Sequence, residues 1–113
     1  MSIETLQNKS TLYHIGCRPG EVGRYVLLPG DPGRVPIIAE LLDEQKKISH
    51  NREYLTYTGK LFGENVSVTS TGMGCPSTAI AIEELKMAGA DTFIRVGTSG
   101  TMQEFIEPGD LVI

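Results

Sequence analysis

The sequence predicts an α/β fold built on an open sheet, and three observations carry that prediction. Apolar runs of strand length alternate with segments of helical periodicity. Two of those runs end directly in short loops bearing glycine and arginine: Gly30-Asp31-Pro32-Gly33-Arg34 after Tyr25-Val26-Leu27-Leu28, and Arg95-Val96-Gly97-Thr98-Ser99-Gly100 after Thr92-Phe93-Ile94. In open α/β sheets ligands gather outside the carboxyl ends of the strands, so two such loops point to one shared anion site. Glycine lets backbone N–H groups approach an anion closely, and arginine adds a planar fork of donors matched to phosphate.

Taken in order, residues 1–10 are polar and read as a mobile tail or an arm over a neighbour. Tyr25 to Leu28 reads as a buried strand. Asp31 then stands as N-cap with Pro32 at the first helical position, and Val35, Ile38, Ala39, Leu41 and Leu42 repeat at helical spacing toward a core. The runs Tyr54-Leu55-Thr56-Tyr57-Thr58 and Val66-Ser67-Val68-Thr69 flank Gly63-Glu64-Asn65 and read as a hairpin. Pro76 and Ser77 open a second helix with Ile80, Leu85 and Ala88 on one face and Gly89 as its stop. On that helix Glu83, Glu84 and Lys86 read as a solvated face and Met87 as core packing. Thr92 to Val96 follows as a buried strand. Pro108-Gly109-Asp110 is a turn into Leu111-Val112-Ile113, a β-prone triplet expected to be tied into a sheet that extends further, as in a fragment.

Composition narrows the function classes. At 113 residues the chain is the size of one domain, and 40% hydrophobic with 21% charged residues reads as a soluble globule. Ten Lys and Arg against fourteen Asp and Glu give a formal charge of −4, which disfavours broad nucleic-acid or anionic-membrane binding and requires a locally basic pocket for a small anion. No apolar stretch has the ~20 residues that cross a bilayer, and no secretory segment opens the chain, so a cytoplasmic address is expected. Cys17 and Cys75 have no paired spacing and read as reduced thiols, with Cys75 in a Gly74-Cys75-Pro76 turn suited to a small residue. No His-Cys arrangement marks a thiol nucleophile.

Four motifs in order then carry a resemblance: Leu28-Pro29-Gly30-Asp31-Pro32 with Arg34; Asn51-Arg52-Glu53-Tyr54; Ser70-Thr71-Gly72-Met73-Gly74-Cys75-Pro76-Ser77-Thr78; and Phe93-Ile94-Arg95-Val96-Gly97-Thr98-Ser99-Gly100. From about Tyr13 to Ile113 the chain resembles the nucleoside phosphorylase family, most closely its uridine-cleaving branch. Members of that family are longer by about a factor of two. The resemblance thus implies that residues 1–113 are the N-terminal portion of a single three-layer α/β/α domain with a central mixed sheet. The C-terminal half would hold base recognition and the carboxylate that grips the ribose hydroxyls. The implied activity is that of a pentosyltransferase of nucleoside salvage: phosphorolysis of a pyrimidine nucleoside, with inorganic phosphate as co-substrate and no required cofactor. Residues 1–113 alone are expected to be inactive, and no catalytic residue is assigned within them.

By the same resemblance Gly30, Arg34, Arg52, Arg95 and Thr98 bind phosphate, with Arg52 inserted into a neighbouring subunit's site. His14, Thr98, Ser99 and Gly100 border the nucleoside, and His14 crosses the same interface to the ribose 5′-hydroxyl. Residues acting in trans make a dimer the smallest competent unit, and the family gathers such dimers into hexamers. Glu53, the Met73 carbonyl and Ser77 match positions that hold a monovalent cation, such as potassium, at the dimer interface in some relatives.

Each assignment has a plainer competitor. Gly30 to Arg34 also reads as a helix-capping turn, Arg95 as half of a salt bridge, Arg52 as a solvated surface charge, His14 as a core-edge histidine and Glu53 as a partner for Arg52. Among functions, nucleosidases use water and generally lack an arginine where this chain has Arg95. Purine nucleoside phosphorolysis and a non-catalytic phosphate-binding module are further alternatives. A dinucleotide-binding domain is disfavoured because Gly30-Asp31-Pro32-Gly33 is not Gly-x-Gly-x-x-Gly.

Overall fold

A computed structural model describes residues 10–113, so the expected polar tail lies outside the described residues apart from Ser10. Five strands, β1 (Tyr25–Leu28), β2 (Asp43–Asn51), β3 (Tyr54–Leu61), β4 (Glu64–Thr69) and β5 (Thr92–Arg95), form one sheet in the order β2-β3-β4-β1-β5. Strand β1 runs parallel to β4 and β5, whereas β2, β3 and β4 form an antiparallel meander. The sheet is therefore mixed, as expected.

Alternation along β1 sends its side chains to two layers. Tyr25 and Leu27 pack with Val35, Ile38 and Leu42 from helix α1 (Arg34–Ala39) and the turn after it, together with Val66 and Val68 of β4. Val26 and Leu28 pack on the opposite face with Ala81, Leu85 and Ala88 of helix α2 (Cys75–Ala88). The segment from Leu12 to Val22 completes that second layer, burying Ile15 and Cys17. Beside that apolar contact the end of the segment meets a row of hydroxyl groups, with Thr58 Oγ1 donating to the Glu21 carbonyl at 2.9 Å. Thr56 bonds Thr69 at 2.9 Å, Thr58 bonds Ser67 at 2.7 Å, and the Gly23 N–H donates to Ser67 Oγ at 2.8 Å. This ladder satisfies every buried hydroxyl it contains and fixes where the segment sits.

Gly23 is the tightest point of that contact. A Cβ there would lie 2.6 Å from the Asn65 carbonyl carbon and 2.8 Å from Val66 N, both backbone atoms that cannot swing aside. Gly23→Ala is expected to destabilise the protein by about 2–3 kcal/mol through overpacking, read from the midpoint of denaturant unfolding.

Several elements differ from the sequence expectation for identifiable reasons. Helix α1 begins at Arg34 rather than Pro32 because its entry is a tighter turn, with Arg34 N donating to Asp31 O and Val35 N to Pro32 O at 3.1 Å. The N-cap is therefore Gly33 and not Asp31, whose carboxylate instead closes the turn before the helix by accepting the Gly33 N–H at 3.1 Å. The helix ends at Ala39, so Leu41 falls outside its period and is 78% exposed. The hairpin turns at Phe62-Gly63, both with positive φ, so β3 and β4 are longer than expected. Strand β5 is an edge strand and not a buried one: Ile94 and Val96 are exposed. Pro108-Gly109 does turn, with Gly109 at φ 97, but Leu111-Val112-Ile113 forms no strand and is exposed. Helix α2 stops as expected. Gly89 N–H bonds Lys86 O at 3.1 Å and Ala90 N–H bonds Leu85 O at 3.0 Å, the paired closure that a left-handed glycine permits. Met87 is exposed rather than packed.

Both thiols are free. Cys75 is exposed at the start of α2, so packing does not limit its size there. Cys17 is buried, and desolvation pushes its thiol pKa up, partly offset by hydrogen bonds from Ser49 and Thr56. Its proton is held more tightly in the folded chain than in the unfolded one. The resulting stability is fully present below the ordinary thiol pKa and is lost as pH climbs beyond it toward the raised folded value. A thiol reagent near pH 8 is expected to modify Cys75 rapidly and Cys17 only on unfolding, so that two kinetic phases appear. No helix among the described residues is long and apolar enough to cross a membrane.

Candidate functional site

Three loops meet at the carboxyl end of the parallel strands. Val96 N–H donates to Leu28 O at 3.1 Å, Thr71 N–H to Pro29 O at 2.9 Å and Gly72 N–H to Gly30 O at 2.9 Å. These bonds continue the ladder past the last strand residues and bring residues 28–34, 70–74 and 95–98 together. Between them lies a cavity of about 740 Å³ lined by Gly30, Arg34, Arg95 and Thr98. Four residues singled out from two separate stretches of sequence thus share one space.

Arg34 Nη2 donates to Thr98 Oγ1 at 3.4 Å, which links the two loops. Arg95 Nη1 donates to Leu28 O at 3.1 Å and also to Val96 O, while its Nη2 is the nearest atom, at 3.2 Å, to where a Gly30 Cβ would stand. The guanidinium is therefore anchored through one nitrogen and lies against Gly30 through the other. No carboxylate forms a salt bridge with Arg34 or Arg95 among the described residues. Arg95 is exposed at the edge, so the cost of burying a charge is not what fixes its position.

The lining as a whole is less basic than the sequence implied. Asp31 and Glu53 also border the cavity, giving two carboxylates beside two guanidinium groups. Both carboxylates have local donors: Asp31 takes the Gly33 N–H, and Glu53 Oε1 accepts from Ser77 Oγ at 3.2 Å. The single Ser77 hydroxyl proton is shared between Glu53 Oε1 and the Thr71 carbonyl, both of which lie within its reach. Glu53 thus pairs with Ser77 and forms no salt bridge with Arg52. Carboxylate, carbonyl and hydroxyl oxygens at Glu53, Met73 and Ser77 are hard donors, a chemistry compatible with a monovalent cation. The Met73 side chain is 96% exposed, so only its carbonyl belongs in that set.

His14 and Arg52 lie elsewhere. They line a second cavity of about 530 Å³, together with Tyr13, Asn51 and Glu53. Glu53 is the residue common to both spaces. Arg52 is exposed at the β2–β3 turn with φ 52, a left-handed conformation that a non-glycine residue adopts at a cost of about 1–2 kcal/mol. Ser99 and Gly100 follow Thr98 outside the first cavity's lining and are exposed.

Glu84 is the residue that sequence reasoning misjudged. Rather than solvated, its side chain is 12% exposed and holds the Tyr13-His14-Ile15 turn. Its oxygens accept the His14 N–H at 3.1 Å and the Ile15 N–H at 2.9 Å, and Oε1 lies 2.7 Å from His14 Nδ1. Asn51 Nδ2 donates to the His14 carbonyl at 2.8 Å from the other side. Its neighbours in sequence carried no such signal, because the contact spans 70 positions.

A mixed α/β sheet whose parallel strands end in loops around one cavity has the architecture of α/β domains that bind ligands outside the carboxyl ends of their strands. Residues 24–113 match the Phosphorylase superfamily, and the chain belongs to it, as the four motifs implied. It is 65% identical over 101 residues to uridine phosphorylase from Thermococcus kodakarensis, covering 89% of this chain and 36% of that protein. Over 100 residues it is 44% identical to guanosine phosphorylase from Halorubrum lacusprofundi, covering 88% and 42%. A crystal structure of uridine phosphorylase from Vibrio fischeri superimposes with a TM-score of 0.84 at 42% identity, covering 89% of this chain and 42% of that one. The chain thus spans about two fifths of the length of the relatives it matches.

Proposed function

We propose that this chain carries the phosphate side of a uridine phosphorylase active site. The observation that supports it most directly is the convergence of Gly30, Arg34, Arg95 and Thr98 on one cavity at the strand ends. In the proposed reaction an oxygen of hydrogen phosphate forms a bond to the anomeric carbon of uridine as the bond to the base nitrogen breaks; its electron pair leaves with the base, which takes up a proton as the phosphate group gives one up. The products are uracil and ribose 1-phosphate. A doubly charged nucleophile must be held on one face of an oxocarbenium-like sugar, and that requirement is mainly positional. Fixing two reactants in attack geometry supplies ~7–11 kcal/mol of a barrier, against ~1.5–3 kcal/mol for each charge-assisted hydrogen bond. Loops laced by backbone bonds meet it well, since Arg95 is anchored to Leu28 O and Arg34 to Thr98.

The balanced lining gives Arg52 its proposed role. Two guanidinium groups facing two carboxylates leave little net positive charge for phosphate, and Arg52 borders a different cavity in its own chain. An Arg52 supplied by a second copy would restore the excess, and the same pairing would bring that copy's His14 to the sugar. The proposed unit is a dimer with shared sites, gathered into a hexamer and working in the cytoplasm. A potassium ion at Glu53, Met73 and Ser77 would balance the Glu53 charge at that interface.

A purine substrate is the second reading, favoured by the guanosine phosphorylase among the relatives. A panel of uridine, thymidine, inosine, guanosine and adenosine, each with and without phosphate, separates the two using the full-length protein. Phosphate-dependent release of uracil is the expected result. Turnover of inosine or guanosine without uridine would establish the purine reading, and release without phosphate would establish hydrolysis.

A further inference from the structure

We infer that Glu84 is a positioning residue for His14, holding the imidazole as its Nδ1–H tautomer so that Nε2 is left as a lone-pair acceptor for a substrate hydroxyl. The assignment follows from which groups have a choice. The backbone N–H groups of His14 and Ile15 only donate, and between them they address both carboxylate oxygens of Glu84. Both oxygens therefore act as acceptors, and the ring nitrogen 2.7 Å from Oε1 is the donor. In a neutral imidazole the other nitrogen then carries the lone pair.

The surroundings fix the ring as well as its proton. Asn51 holds the His14 carbonyl, the Tyr13 ring meets the imidazole edge-on at 4.9 Å between centroids, and Glu84 is anchored in the middle of α2. No lysine or arginine forms a salt bridge with Glu84 among the described residues. Yet the His14 side chain is 45% exposed and lines the second cavity, so the held ring remains reachable. A carboxylate behind a half-exposed histidine is the arrangement by which proteins set a tautomer and a ring orientation.

The tautomer stands on geometry alone, whereas the substrate hydroxyl rests on the uridine phosphorylase reading, in which His14 meets the ribose 5′-hydroxyl. Two measurements on the full-length protein separate them. Nitrogen-15 spectra of histidine-labelled protein, with His14→Ala to assign the signals, are expected to show neutral His14 protonated at Nδ1 and bare at Nε2. A wild-type ring protonated at Nε2 would overturn the inference, and this holds whether or not any Glu84 variant folds. In kinetics, Glu84→Gln places an amide N–H2 against backbone N–H groups and is expected to raise KM for uridine roughly tenfold with a smaller change in kcat. The same variant should leave 5′-deoxyuridine unaffected and add nothing in a His14→Ala background. An equal loss on 5′-deoxyuridine, or a full loss without His14, would assign Glu84 a merely structural role. If wild-type protein releases no uracil, the uridine reading fails while the spectra still decide the tautomer.

Discussion

Arg95→Ala is expected to lower kcat/KM for phosphate by on the order of 10²–10³-fold, the usual consequence of deleting one well-placed donor to a reacting oxyanion. The expectation rests on how Arg95 is held. Its Nη1 is tied to Leu28 O, and its Nη2 lies beside Gly30, so the guanidinium is oriented before any anion arrives. Stability should change by only about 1 kcal/mol, because Arg95 is exposed and forms no salt bridge among the described residues. Arg95→Lys should recover little of the activity, since an ammonium cannot hold the carbonyl and offer a second parallel donor at once. Gly30→Ala tests the same geometry from the opposite side: its Cβ would stand 3.2 Å from Nη2 and push the guanidinium off its position. Phosphate saturation curves read all three variants. A wild-type phosphate KM in Arg95→Ala would remove the cradle from this site.

Where sequence reasoning succeeded and where it failed follows the range of the interactions involved. Strand β1, the hairpin and α2 were legible because their signals are local: an apolar run, two β-prone runs about Gly63-Glu64-Asn65, and a glycine stop after Ala88. Strand β2 went unseen because Asp43–Asn51 has neither alternation nor an apolar face. It is a sheet edge, exposed along most of its length and broken by register shifts between Asp43 and Lys46 and between Lys47 and Ser49. Charged residues there suit an edge that must not pair with other chains. The cradle residues could be named in advance because strand-end loops with glycine and arginine imply a position as well as a chemistry. Glu84 could not, since its role depends on the loop around His14 folding back over α2.

Mixing two inactive variants is expected to restore about a quarter of the wild-type sites if each site takes Arg52 from a second copy. Arg52→Gly removes the donor while supplying the residue best suited to φ 52, so loss of activity in that variant would not reflect a damaged turn. Arg95→Ala removes the donor on the receiving side. In a two-fold dimer containing one of each, one site inherits both defects and the other inherits neither. Random re-association puts half the chains into such mixed dimers, hence one intact site in four. Activity that stays at the level of the separate variants after unfolding and refolding together would mean that Arg52 serves its own chain. That outcome would contradict the separation of the two cavities, because Arg52 and Arg95 border different spaces joined only through Glu53.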